Sequence, residues 1–193
     1  MRRVRSLVAL VSVLLTLPAL AAKDKPVFAL ESDVIAARPE VAAALKAALT
    51  APEEAAPWRA LGRALAAQGA YDDAARAFRR AAKAAPKIAG VWADLGATYV
   101  RAGDPRSALA PLRRAVKLEP YLAVAHYSLG LAHQALGRYD DALDEFEIAV
   151  TIDPTLGDAR TNPDVVGNTL VPYAKIRARQ RAASSAAPFA GPR

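Results

Sequence analysis

His126 and His133 are the two histidines of this 193-residue chain, and they stand seven residues apart. Histidine is the side chain whose ordinary pKa lies nearest neutrality, so any proton or metal chemistry would start here. On a helix, seven residues are two turns, about 10 Å, which is too far for both rings to hold one metal ion. The acidic pairs Asp72-Asp73 and Asp140-Asp141 are adjacent residues at expected helix starts. There they can cap free N–H groups and meet the positive end of the helix dipole, a simpler role than paired-carboxylate catalysis. The chain has no cysteine, which excludes disulfides, zinc thiolates and thiol nucleophiles. No nucleophile elbow, HExxH, phosphate loop or dinucleotide fingerprint is present. The expectation is a protein without catalytic residues, metal or cofactor. Arg79-Arg80 and Arg113-Arg114 recur 34 residues apart and could line up as a basic stripe. A solvated helix face balanced by acids explains them more simply.

The elements that carry these residues read as helices. Ala, Leu, Arg and Glu, all good helix formers, dominate residues 39–153. The expected class is all-α. The body repeats itself: an offset of 34 aligns residues 55–88, 89–122 and 123–156. Trp58 and Trp92 align with His126, Gly62 with Gly96 and Gly130, and Leu65 with Tyr99 and His133. Gly69, Gly103 and Gly137 share a column, as do Ala74, Ala108 and Ala142, and Phe78, Leu112 and Phe146. Each block closes on a proline: Pro86, Pro120 and Pro154. Within a block, one apolar 3.6-period segment precedes a turn and a second such segment.

Local chemistry fits a helical hairpin in each block. Gly62, Gly96 and Gly130 fall mid-helix, where glycine costs roughly 1 kcal/mol against alanine. Close helix approach is the expected reason, with Ala74, Ala108 and Ala142 as the small partners and Phe78, Leu112 and Phe146 filling the space between hairpins. Gly69, Gly103 and Gly137 suit left-handed helix ends. Asp72, Asp104 and Asp140 are expected caps of the second helices, and Pro105 fits a first helical turn.

These columns resemble the tetratricopeptide repeat: W-x2-L-G-x2-Y, then A-x3-F, then a closing proline. The resemblance covers residues 55–156. It implies tandem helix-turn-helix repeats forming a short α-solenoid, with the first helices lining a concave groove that holds a peptide or helix of another protein. The groove positions by that reading are Arg59, Arg63, Ala97, Arg101, Tyr127, Leu131 and Gln134, with Ala93 and Asp94 nearby. Some family members grip a C-terminal carboxylate with Lys and Asn side chains; Ala93, Ala97, Tyr127 and Leu131 stand at such positions here, so that clamp is missing. The expected ligand has an acidic part near Arg59 and Arg63 and an apolar part near Tyr127.

The flanks depart from the repeat. Residues 1–21 hold Arg2, Arg3 and Arg5, an apolar run from Ser6 to Leu17, and the small-residue junction Ala19-Leu20-Ala21. That is the three-part pattern of a secretory signal, with cleavage expected near Ala21 and a periplasmic or secreted product. Residues 22–54 read as a linker and a capping helix, PEVAAALKAALT over 39–50. At the other end, 162–166 can open a short helix. Residues 170–182 read as a capping helix that uses Val171, Ala174 and Ile176, and 183–193 read as a disordered tail. The net charge of +7 belongs to the ends: residues 22–164 carry 18 cationic and 19 acidic side chains. Nucleic acid is therefore not an expected partner. Membrane contact is expected only through an uncleaved leader or the basic segment 175–181, and that alternative describes a membrane-anchored assembly factor.

Overall fold

The computed structural model describes residues 38–186. Among them are eight α-helices, two 3-10 turns and no strand. The helices are α1 (Pro39–Thr50), α2 (Ala55–Ala67), α3 (Tyr71–Ala84), α4 (Ala89–Arg101), α5 (Pro105–Leu118), α6 (Ala123–Ala135), α7 (Tyr139–Ile152) and α8 (Leu170–Ala186). The 3-10 turns, Pro154–Gly157 and Pro163–Val165, lie between α7 and α8. Residues 1–21, where a secretory signal is expected, and most of the expected linker lie outside the described residues.

The pairs α2/α3, α4/α5 and α6/α7 are hairpins closed by one turn used three times. Gly69, Gly103 and Gly137 have φ of +76°, +78° and +73°, a left-handed geometry that glycine adopts without strain. The residue after each glycine donates its N–H five residues back: Ala70 to Leu65, Asp104 to Tyr99 and Arg138 to His133. This is the Schellman arrangement, and it satisfies carbonyls the helix end leaves free.

The mid-helix glycines work differently from the expectation. A Cβ built on Gly62 would lie 2.7 Å from the Phe78 ring, and one on Gly130 would lie 2.6 Å from the Phe146 ring. Gly96 faces Leu112 in the same way. The large side chain of each second helix thus fills the glycine slot of its own hairpin, as well as reaching neighbouring core residues. Ala74, Ala108 and Ala142 are fully buried, but they do not fill that slot. An alanine methyl there would leave a ring-sized void.

First helices touch across hairpins, α2 with α4 and α4 with α6, and each hairpin also meets the next through α3 with α4 and α5 with α6. No contact of like extent joins α3, α5 and α7 among the described residues. First helices therefore form the inner, concave layer and second helices the outer one.

Two corrections concern the ends. Helix α1 packs on α2 through Val41, Leu45 and Ala48, in one core with Trp58 and Phe78. Trp58 donates its indole N–H to the Pro52 carbonyl at 2.8 Å, as Trp92 does to Pro86 at 3.0 Å. Pro52 lies 34 residues before Pro86, so α1 occupies the place of a second helix instead of standing outside the repeat. At the far end, α8 runs to Ala186, past the expected 182, and residues 187–193 lie outside the described residues. Val171 and Ala174 are buried against α7, but Ile176 is 52% exposed. The buried face follows 171, 174 and 178 instead, one helical stripe. The expected short helix at 162–166 is the 3-10 turn Pro163–Val165.

Candidate interaction groove

The concave face begins on α2 with Ala56, Ala60, Arg63 and Ala67, all exposed, beside the partly buried Arg59. Arg59 Nε donates to Asp94 Oδ2 at 2.6 Å. Arg63 reaches the same carboxylate at 3.2 Å, while its own side chain stays 60% exposed. One carboxylate on α4 thus ties down two guanidinium groups on α2. Ala97 is partly buried and Arg101 exposed further along α4. Three cations and one acid leave this face with a net positive charge beside a floor of small side chains. Pairs this exposed contribute little to stability.

The third hairpin does not continue the groove as expected. Tyr127 is 6% exposed, with its ring 5.3 Å from the Phe146 centroid. Leu131 packs in the same core, together with Val165 and Leu170 from the C-terminal segment. Gln134 accepts from Asn168 Nδ2 at 3.0 Å, and the Asn168 carboxamide oxygen also accepts from the N–H groups of Leu170 and Val171 at the start of α8. Ala93, also expected near the ligand, is buried between α5 and α6 residues. Spacing did not show that Val165, Asn168 and Leu170 of the C-terminal segment would meet Leu131, Tyr127 and Gln134.

The first two hairpins share a second recurrent contact that spacing alone had not pointed to. Arg80 lies over the Trp58 ring at 5.4 Å, and Arg114 over Trp92 at 4.5 Å. Both pairs are separated by 22 residues, which was the available signal. Half of the expected basic stripe is thereby stacked on indoles, a cation–π contact. The third hairpin replaces this pair. His126 places Nδ1 2.7 Å from Glu145 Oε2 and Nε2 2.9 Å from the Pro120 carbonyl. The hydrogen bond to Glu145, chiefly, raises the His126 pKa above its ordinary value. His133 is buried too, 3.5 Å from Asp141. No group of His, Asp and Glu able to hold a metal occurs among the described residues.

The expected caps divide. Asp104 accepts from the Ser107 N–H at 3.1 Å, and hydrogen bonding from the Ser107 side chain, then from its backbone, lowers the Asp104 pKa. The helices that hold Asp72 and Asp140 show no side-chain cap; both residues sit in the first turn, where only the dipole favours them. The basic segment 175–181 is largely engaged. Lys175 donates to the Gly157 carbonyl at 2.9 Å, Arg177 pairs with Asp144 at 2.7 Å, and Arg177 and Arg181 hold Glu147 at 2.8 and 3.0 Å. No described helix is long and apolar enough to cross a membrane.

Two tetratricopeptide-repeat family profiles match the chain, over residues 55–98 and 94–156. No curated protein sequence matches it. Among solved structures, MamA is similar at a TM-score of 0.57 and 22% identity, covering 75% of this chain and 86% of its own. The TPR domain of Arabidopsis OM64 gives 0.53 at 19% identity, covering 67% and 97%. The first TPR of Spaghetti (RPAP3), bound to the HSP90 peptide SRMEEVD, gives 0.52 at 21% identity, covering 69% and 94%. At these identities the likeness is one of fold.

Proposed function

The chain belongs to the tetratricopeptide-repeat family, and on that premise we propose that it is an exported scaffold holding an acidic segment of a partner protein. The segment lies along the concave face of α2 and α4. The observation that carries this reading is Asp94, shared by Arg59 and Arg63 with Arg101 on the same face. One acid against three cations leaves charge for a ligand to neutralise, and the exposed alanines let an extended backbone approach closely. A repeat protein solved with an acidic peptide, SRMEEVD, is among the similar structures. The proposed groove is shorter than the sequence suggested, because Tyr127 and Leu131 are covered. Export rests on the leader at residues 1–21.

A synthetic peptide library tests the groove. Acidic peptides should bind and basic ones should not, with affinity falling as salt rises. Arg63→Glu with Arg101→Glu should abolish that preference. Unchanged acidic-peptide binding in the double variant would reject the groove. Fractionation of cells tests export, and retention of the intact leader in the cytoplasm would reject it. In the membrane-anchored reading α8 would offer the 71% exposed Arg181 to anionic lipid, while Lys175 and Arg177 are bonded within the fold.

A further inference from the structure

We infer that the joint between the second and third hairpins is a proton-dependent clamp, closed only while His126 carries protons on both ring nitrogens. The three joints are built on one plan. In the first two, an indole N–H at the column of Trp58 and Trp92 donates to a proline carbonyl six residues earlier. An indole N–H does not titrate in the accessible pH range, so those joints ignore pH.

The third joint puts an imidazole at that column. Its Nε2 lies 2.9 Å from the Pro120 carbonyl, and its Nδ1 lies 2.7 Å from Glu145 Oε2. A carbonyl oxygen can only accept, and an ionised carboxylate can only accept. Both contacts are hydrogen bonds only if both nitrogens donate. Neutral imidazole has a single N–H, and the charge-assisted bond to the Glu145 carboxylate holds it on Nδ1, so losing the proton strips Nε2 and leaves its lone pair facing the Pro120 carbonyl, the contact that crosses the joint. The side chain is 7% exposed, so water cannot easily fill the gap.

The surrounding charges keep the proton in place. Glu145 shares a polar recess with Arg113 of α5, His133 of α6, and Asp141 and Asp144 of α7. Among the described residues, Arg113 is the one cation lining that recess, against the three carboxylates of Asp141, Asp144 and Glu145. His133, 3.5 Å from Asp141, is the other imidazole there. The raised pKa of His126, with Glu145 as its largest cause, agrees with the geometry.

The sign follows from linkage. A pKa raised by folding contributes stability that is complete below the unfolded value, about 6.5, and is lost as pH climbs through the higher folded value. Across that window the folding equilibrium constant falls by the ratio of the unfolded to the folded acid constant.

Nitrogen-detected NMR of the imidazoles in the purified protein tests this. His133→Tyr, which installs the residue Tyr99 has in that column, assigns the two rings. His126 should show two N–H groups at pH 6 and titrate above 6.5, with Glu145→Gln moving the midpoint down. The melting temperature of the wild type should fall between pH 6 and 8.5 more steeply than that of His126→Trp. A neutral His126 at pH 6, or a midpoint at or below 6.5, overturns the clamp. Equal pH slopes in wild type and His126→Trp overturn it as well. If the tryptophan variant does not fold, the wild-type titration decides alone.

Discussion

Gly62→Ala puts a methyl group where the Phe78 ring now lies, and two effects of opposite sign compete. Alanine is the better helix former by about 1 kcal/mol. Against that, the new Cβ would sit 2.7–2.8 Å from three ring atoms, whereas ordinary contact begins at 3.4 Å. The ring must retreat by roughly 0.7 Å. It is 2% exposed and shares its core with Trp58, Leu61, Val91 and Leu95, so no free volume receives it. Overpacking of this kind costs about 1–3 kcal/mol. The net expectation is a loss of about 1 kcal/mol.

The same substitution should change sign once the ring is gone. Phe78→Ala alone loses about 3–5 kcal/mol through its cavity. In that background the methyl has room, keeps its helix preference of about 1 kcal/mol, and buries one carbon for about 0.8 kcal/mol more. Gly62→Ala should then stabilise by 1–2 kcal/mol, and the coupling energy of the cycle should be about 2–3 kcal/mol. Urea unfolding of the four proteins measures it through the midpoint at constant m. If Gly62→Ala raises the wild-type midpoint, or has one sign in both backgrounds, ring packing is not why glycine stands at this column.

Three further outcomes follow from other contacts. Gly69→Ala has nothing within 4 Å of its new Cβ, yet its φ of +76° should cost about 1 kcal/mol by urea unfolding, equally with or without Phe78. Asp104→Ala should lower the melting temperature and Asp72→Ala should leave it nearly unchanged, since only Asp104 accepts a capping bond. The Asp104 pKa is depressed by its hydrogen bonds to Ser107, so its contribution is present above the unfolded value of 3.8 and is lost as pH falls through the lower folded value. A pH-3 melt should therefore narrow the gap between wild type and Asp104→Ala. Arg177→Ala with Arg181→Ala strips both cations from Glu147, which is 4% exposed, and should cost about 2 kcal/mol after discounting the exposed Arg181. Limited proteolysis should then cut first within α8.

The 34-residue columns carried the hairpins, their glycine turns and the inward direction of Arg59 and Arg63, because period and helix geometry together define a face. They could have carried more. Asp94 lies 35 residues after Arg59 and 31 after Arg63. Those are one period plus one and one period minus three, the neighbouring positions on the facing helix, so the shared carboxylate was legible. Burial of Tyr127 and Leu131 was not. It depends on Val165 and Leu170 folding back from a segment with no period, and a repeat pattern is silent about chain that does not repeat. Helix α1 shows the opposite failure. Its side chains do not match the columns, since an end helix needs one apolar stripe, while Pro52 takes the place that Pro86 and Pro120 hold.

The proline carbonyl explains why that one position survives. A second helix ends two residues before its proline, and the carbonyl there has no partner within the helix. The next first helix supplies one from its fourth position, by indole at Trp58 and Trp92 and by imidazole at His126. Each such bond joins the end of one hairpin to the start of the next, so it helps set the angle between successive first helices. The groove of α2 and α4 is therefore framed by two joints that do not titrate. The joint that does titrate stands beyond it, where α5 ends and α6 begins. A proton lost at His126 should loosen the covered end of the solenoid before it disturbs the charged one.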